Sequence, residues 1–139
     1  MASIYMQTTV EVDAATAWAA LRQVGEAHTL FAPVLTAARL DGDTRTVTFA
    51  NGIVVRERIL DVDEERKRVA YAVLDGPGMA YHHASMQIVE GGPRRCQFVW
   101  ITDFLPAELA EMLTPLIAQG TGALKRNLEA RLSSAAAGS

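Results

Sequence analysis

Alternation between apolar and polar positions runs through most of the chain. From Ile4 to Val12, the residues Ile4, Met6, Thr8, Val10 and Val12 share one face while Gln7, Thr9 and Glu11 share the other. This is the period-two pattern of a half-buried strand. Asp13 then stands where a helix cap is needed, ahead of DAATAWAALRQV. In that segment Ala17, Trp18 and Leu21 can face inward together, and Gly25 stops it. Glu26 to Phe31 reads as a second short helix, ended by Ala32-Pro33 because the residue before a proline is disfavoured in helical geometry. Alternating runs follow: Val34 to Leu40, Arg45 to Phe49, Ile53 to Asp61, Arg68 to Leu74, Ala80 to Glu90 and Arg95 to Phe104. Turn chemistry separates them at Asp41-Gly42-Asp43, Asn51-Gly52, Asp63-Glu64-Glu65, Asp75-Gly76-Pro77-Gly78 and Gly91-Gly92-Pro93. Asn51-Gly52 carries the strongest two-residue hairpin signal.

The period changes to that of a helix only near the end. Leu113, Leu116, Ile117, Gly120, Leu124 and Leu128 form one stripe of a helix over Thr114 to Leu132, with Lys125, Arg126 and Glu129 on its other side. Thr114 reads as its cap and Pro115 as its first position, after a short helical approach from Glu108 to Leu113. Such a helix must bury its stripe against a sheet, and successive hairpins make sequential strands neighbours. The predicted fold is α+β. About seven antiparallel strands form a strongly curved sheet wrapped on the long C-terminal helix, with two short helices after the first strand.

Composition narrows the partners. The 139 residues suit a single domain, taken as 1–132, with the Ser, Ala and Gly residues of 133–139 as a flexible tail. A net charge of -3 and a pI near 5.6 argue against nucleic acid or an anionic membrane as the main partner. No apolar run of about eighteen residues would insert into a bilayer. The N-terminus shows no secretory signal, and one cysteine suits a reducing cytoplasm. No H-x-H or C-x-x-C spacing suggests a metal, and a monomer and a homodimer are both compatible with the pattern.

The chain resembles the helix-grip superfamily that contains START domains, polyketide cyclases and birch-pollen-allergen-like proteins (SRPBCC). The resemblance rests on DAATAWAAL after the first strand, FAPV before the second, VVRERILDVDEERKRVAYAV in mid-chain, and VWITDFLP leading to ALKRNLE. It implies a hydrophobic ligand pocket between sheet and C-terminal helix. It also leaves several roles open, since members include lipid carriers, hormone receptors and cyclases.

Candidate chemistry follows from the strand faces. Ile53, Val55, Glu57 and Ile59 alternate together, so burying the apolar row carries Glu57 inward and turns Arg56 and Arg58 outward. An unpaired carboxylate there would be pushed up by desolvation and could carry a proton; a paired one would anchor structure instead. Tyr71, inward with Val69 and Val73, is its nearest predicted partner. On the next strand Tyr81, His83, Ser85 and Gln87 oppose Ala80, His82, Ala84 and Met86, and polarity does not choose between the faces. If the first set faces the pocket, His83 and Ser85 stand beside Glu57 with Tyr81. Phe98 and Trp100 share the aromatic face of the last strand; Leu116, Ile117, Gly120, Leu124 and Asn127 complete the site from the helix. Two functions follow. One is a cyclase or dehydratase that needs no cofactor, with Glu57 as proton shuttle assisted by Tyr71 and His83, acting on an aromatic or polyketide-like molecule. The other is a carrier or sensor of a hydrophobic small molecule. The glycine-bearing turns at 51–52 and 75–78, with Phe31 to Pro33, are expected to form the pocket mouth.

Overall fold

The computed structural model describes residues 2–75 and 78–138, with side chains described through residue 131. The chain runs β1 (Ala2–Val10), α1 (Ala14–Leu21), a 3-10 turn (Val24–Glu26), α2 (Ala27–Leu30), β2 (Leu35–Asp41), β3 (Thr44–Phe49) and β4 (Val54–Asp63). It continues as β5 (Arg68–Val73), β6 (Tyr81–Glu90), β7 (Cys96–Leu105), a second 3-10 turn (Ala107–Leu109) and α3 (Ala110–Gly138). One seven-stranded sheet takes the order β1-β7-β6-β5-β4-β3-β2, every pairing antiparallel. This is the predicted curved meander with a long C-terminal helix.

Local chemistry fixes the pieces. Asp13 caps α1 by accepting from the Thr16 N–H at 3.1 Å, and Ala17, Trp18 and Leu21 are buried. The buried Trp18 Nε1–H donates to Glu64 at 2.7 Å, tying α1 to the β4–β5 turn. The two-residue hairpin falls at Gly42-Asp43, where Asp41 pairs with Thr44 and Gly42 takes φ +62°, instead of at Asn51-Gly52. In β4 a bulge lets Leu60 bypass the ladder, so the inward set runs Glu57, Ile59 and then Val62.

The long helix starts earlier than predicted. Thr114 is an exposed residue within α3 and caps nothing, and Pro115 lies inside the helix. Burial of Leu113 against Phe104 draws the preceding turn into helical register. The proline removes only the bond to the carbonyl of Glu111, an exposed residue whose oxygen water can serve. The helix also continues to Gly138, through residues whose composition predicts a tail.

The core divides along α3. Leu124 and Leu128 cluster with Val10, Val12, Phe98 and α1, while Leu113 and Ile117 join a smaller cluster around Phe104. Between these clusters the sheet stands away from the helix.

Candidate functional site

That gap is a cavity of about 410 Å³, within the usual small-molecule range. Its walls are mainly apolar: Val47, Val55 and Val73 from the sheet, Phe31 beyond α2, Leu113 and Ile117 from α3, and the methionines Met79, Met86 and Met112. Trp100 forms one side, tilted against Phe31 at 5.7 Å and edge-on to Phe98 at 6.2 Å between ring centroids. Ile53 and Met112 line the cavity while half exposed (both 51%), so it opens between the β3–β4 loop and the first turns of α3. Asn51, Met79 and Gln119 lie along the same lining. Of the other predicted mouth turn, Gly76 and Pro77 lie outside the described residues.

Strand register gathers the polar groups. Arg45 on β3 pairs with Glu57 on β4, which pairs with Val73 on β5, and Tyr71 is the diagonal neighbour two residues along. Arg45 and Glu57 are 7% and 8% exposed, and both line the cavity. The Arg45 Nε–H donates to Glu57 Oε1 at 2.8 Å, Nη2 lies 2.8 Å from the same oxygen, and Nη1 donates to the Val24 carbonyl at 3.2 Å. Glu57 Oε2 takes no hydrogen bond among the described residues. The guanidinium carbon stands 5.2 Å from the Tyr71 ring centroid, over its face. Burial pushes the Glu57 carboxyl up, and the Arg45 charge and hydrogen bond offset only part of that rise. Tyr71 is raised far above the ordinary phenol value, first by burial and then by the Glu57 charge, so it is a neutral hydroxyl. The Trp100 indole N–H lies near that hydroxyl and favours its ionised form slightly, but it forms no well-aligned hydrogen bond and stays unpartnered.

The expected carboxylate is therefore inward, as the alternation predicts, but it is not unpaired. The arginines beside it in sequence do point away: Arg56 bonds Asp75 and Arg58 stands near Asp43. Its partner comes from the next strand. Arg45 shares a face with Val47 and Phe49, and that alternation was the signal that sequence reasoning passed over.

On β6 the structure selects His82, Ala84, Met86 and Ile88 as the inner face. These residues pair with Phe104, Thr102, Trp100 and Phe98, and partners across an antiparallel ladder project to the same side. Tyr81, His83 and Ser85 consequently lie on the opposite face, away from Glu57, which corrects the expected placement of all three. His82 enters the cavity wall in their stead. The Thr102 hydroxyl donates to the His83 carbonyl at 3.3 Å, so His82 Nε2–H donates to Thr102 at 2.7 Å and Nδ1 is buried without a partner. Burial, then the neighbouring His83, lowers the His82 pKa to about 4.

Of the expected site residues, Val55, Val73, Trp100, Leu116, Ile117 and Gly120 lie along the cavity. Ile59, Phe98 and Leu124 do not; they pack in the adjoining core. Asn127 acts at a distance, its amide donating to the carbonyls of Leu30 and Ala32 at 2.8 Å each and so holding the C-terminal end of α2. Gly120 serves the cavity through Trp100. A Cβ there would lie 2.9 Å from Trp100 Cζ3, so the glycine admits the indole edge against the helix and does not itself form the void. Cys96 is fully buried, with its thiol pushed up to about 11 mainly by burial, and is inert at neutral pH. Among the described residues, no three His, Cys, Asp or Glu side chains gather as a metal site, and no helix is long and apolar enough to cross a membrane.

A curved antiparallel sheet gripping one long helix around an apolar cavity defines a helix-grip domain of the ligand-binding class. Solved structures agree on the fold. XoxI of Bacillus cereus superposes with a TM-score of 0.85 at 16% identity, over 92% of this chain and 96% of that one. Norcoclaurine synthase of Thalictrum flavum, in complex with dopamine and hydroxybenzaldehyde, gives 0.74 at 19% identity over 96% and 87%. A Thermobifida fusca protein solved by NMR gives 0.75 at 27% identity over 94% and 91%. No curated protein matches the chain significantly. The family model described as polyketide cyclase / dehydrase and lipid transport matches residues 1–129, and the chain belongs to that family.

Proposed function

We propose that this protein binds a hydrophobic, ring-bearing small molecule in the internal cavity, with the molecule's polar end at Arg45, Glu57 and Tyr71. One observation carries the reading: an apolar cavity whose two charged groups, Arg45 and Glu57, meet beside Tyr71 in one buried cluster with a carboxylate oxygen left free. The volume suits a ligand on the order of fifteen non-hydrogen atoms, from the liquid volume of about 30 Å³ per water-sized unit. Trp100, Phe31 and Phe49 favour a flat body, and the aromatic molecules in the norcoclaurine synthase structure are of that kind. Amide NMR titration with 2-naphthol tests it: shifts should map to Val55, Tyr71, Val73, Ile117 and Gly120. Shifts confined to the outer face of the sheet, or none at all, refute it.

The free Glu57 Oε2 supports a second reading, cofactor-independent cyclase or dehydratase chemistry. Glu57 would take a proton from the bound molecule, and the neutral Tyr71 hydroxyl would stabilise the developing oxyanion. Glu57→Gln then retains binding and lowers turnover of a substrate by roughly 10²–10⁴-fold, whereas in a carrier it changes affinity alone.

A further inference from the structure

Hydrogen-bonding capacity at the polar end of the cavity is unbalanced. Arg45 has five N–H groups, and its described partners, Glu57 Oε1 twice and the Val24 carbonyl once, use three of them. Two N–H groups are left, together with the Tyr71 O–H, which finds no well-formed acceptor among the described residues. Against these three donors, and the unpartnered Trp100 indole N–H beside the hydroxyl, stands one open acceptor, Glu57 Oε2. A neutral alcohol or phenol oxygen has two lone pairs and one proton, too few acceptor sites for that surplus. An ionised carboxylate offers about four acceptor sites; with one proton it keeps about three and gains a single donor for Oε2.

Resting on the proposed ligand-binding role, we infer that the preferred ligand is a ring-bearing monocarboxylic acid, taken up with one proton that its carboxyl group shares with Glu57. The shared proton removes the repulsion that two carboxylates would suffer in this buried setting, while Arg45 neutralises the single remaining negative charge. A ligand that brought only its anion would leave two negative charges facing one guanidinium. Other groups around the cavity leave proton exchange to these two carboxyls. The guanidinium group of an arginine exchanges no proton in this range, Tyr71 on β5 stays neutral, His82 on β6 is neutral above pH 6, and the turn before α2 presents the Val24 carbonyl. From α3 the lining contributes Gln119, which does not titrate. The raised position of the Glu57 carboxyl is consistent with its accepting this proton.

Calorimetry with 2-naphthoate and its uncharged isostere 2-naphthamide, from pH 7 to 9 in buffers of differing ionisation heat, provides the test. The acid should bind with uptake of about one proton and lose about tenfold in affinity per pH unit once Glu57 is ionised in the free protein. Glu57→Gln should still bind it, with that proton uptake and pH dependence abolished. Amide binding as tight as acid binding at pH 7, or acid binding without proton uptake, overturns the inference and leaves the cavity reading intact. Failure of both compounds to bind overturns the two together.

Discussion

Replacing Arg45 by methionine isolates the ion pair on which the site is built. The substitution keeps an apolar stem in an almost fully buried position but strands Glu57 without its cation. The folded protein can then hold an ionised carboxylate in an apolar wall or protonate it, and the cheaper course sets the cost. Protonation at pH 7 means working against an ordinary pKa of about 4.3, roughly 2.7 pH units at about 1.36 kcal/mol each, or about 3.7 kcal/mol. Loss of the donor to the Val24 carbonyl adds about 1 kcal/mol. The total falls within the range of roughly 3–5 kcal/mol, or slightly above it, expected when one partner of a buried pair is removed.

The sign with pH follows from proton counts. In the variant the folded pKa lies above the unfolded one, so the folded state binds the extra proton. Stability is full below about pH 4.3 and falls as pH rises toward the folded value. At pH 5 the protonation cost shrinks to about 1 kcal/mol. Urea denaturation at pH 5 and 7 should therefore show an Arg45→Met penalty that is larger at pH 7, by at most about 2–3 kcal/mol because the wild-type carboxyl is itself pushed up, with unchanged slope. Adding Glu57→Gln should cancel most of the pH 7 penalty. An equal penalty at both pH values, or a double variant no better than the single one, refutes the assignment of Glu57 as a buried charge that needs Arg45.

Other expectations follow from the same geometry. Because His82 is held near pKa 4 in the fold, wild-type stability should fall between about pH 6.5 and 4 as the unfolded state takes up the proton, and His82→Asn should flatten that fall in thermal melts. Gly120→Ala should gain about 1 kcal/mol of helix propensity but press on Trp100, offsetting it by about 1–3 kcal/mol. The indole should then shift into the cavity, so near-native stability with altered tryptophan fluorescence and weakened 2-naphthol binding is expected, and unchanged binding contradicts it. Asn127→Ala should cost about 1–3 kcal/mol by stranding two carbonyls at the end of α2, read by chemical denaturation.

Much of this was legible in the sequence. Alternation alone carried Glu57 inward and Arg56 and Arg58 outward, because strand geometry leaves no other way to bury Val55 and Ile59. Two features escaped it. Arg45 lay in an alternating row with Val47 and Phe49, yet its pairing with Glu57 depends on the β3–β4 register, set by a three-residue connection over 50–52 that the Phe49 N–H closes on the Ile53 carbonyl at 2.8 Å, and not by a two-residue Asn51-Gly52 turn. The inward face of β6 was undecided by polarity because each set held one histidine. It is settled by pairing with the aromatic row of β7, information carried between strands and not within one. The start of α3 escaped for a similar reason, since burial of Leu113 by Phe104 outweighs the boundary signal of Thr114-Pro115.

The division of α3 explains how an apolar cavity survives in so small a domain. In the half beyond Gly120, Ala123 and Leu124 are fully buried and Leu128 is at 1% exposure, and Lys125 bonds the Thr9 carbonyl at 2.6 Å to fix the helix on β1. That half holds the helix against the sheet, so the N-terminal half can span the open end without collapsing onto it. Trp100 stands at the junction, where Gly120 lets the indole reach the helix and brace the two layers apart. Arg45 then links the cavity floor to the turn before α2, the segment leading to Phe31 in the opposite wall. Any ligand group that draws Arg45 away from Val24 must therefore loosen this turn. Hydrogen exchange at Gly25 to Phe31 should report binding at Arg45, whereas a ligand touching only Trp100 and α3 should leave those amides unchanged. Equal protection with both kinds of ligand would show that the Arg45–Val24 bond does not couple floor to wall.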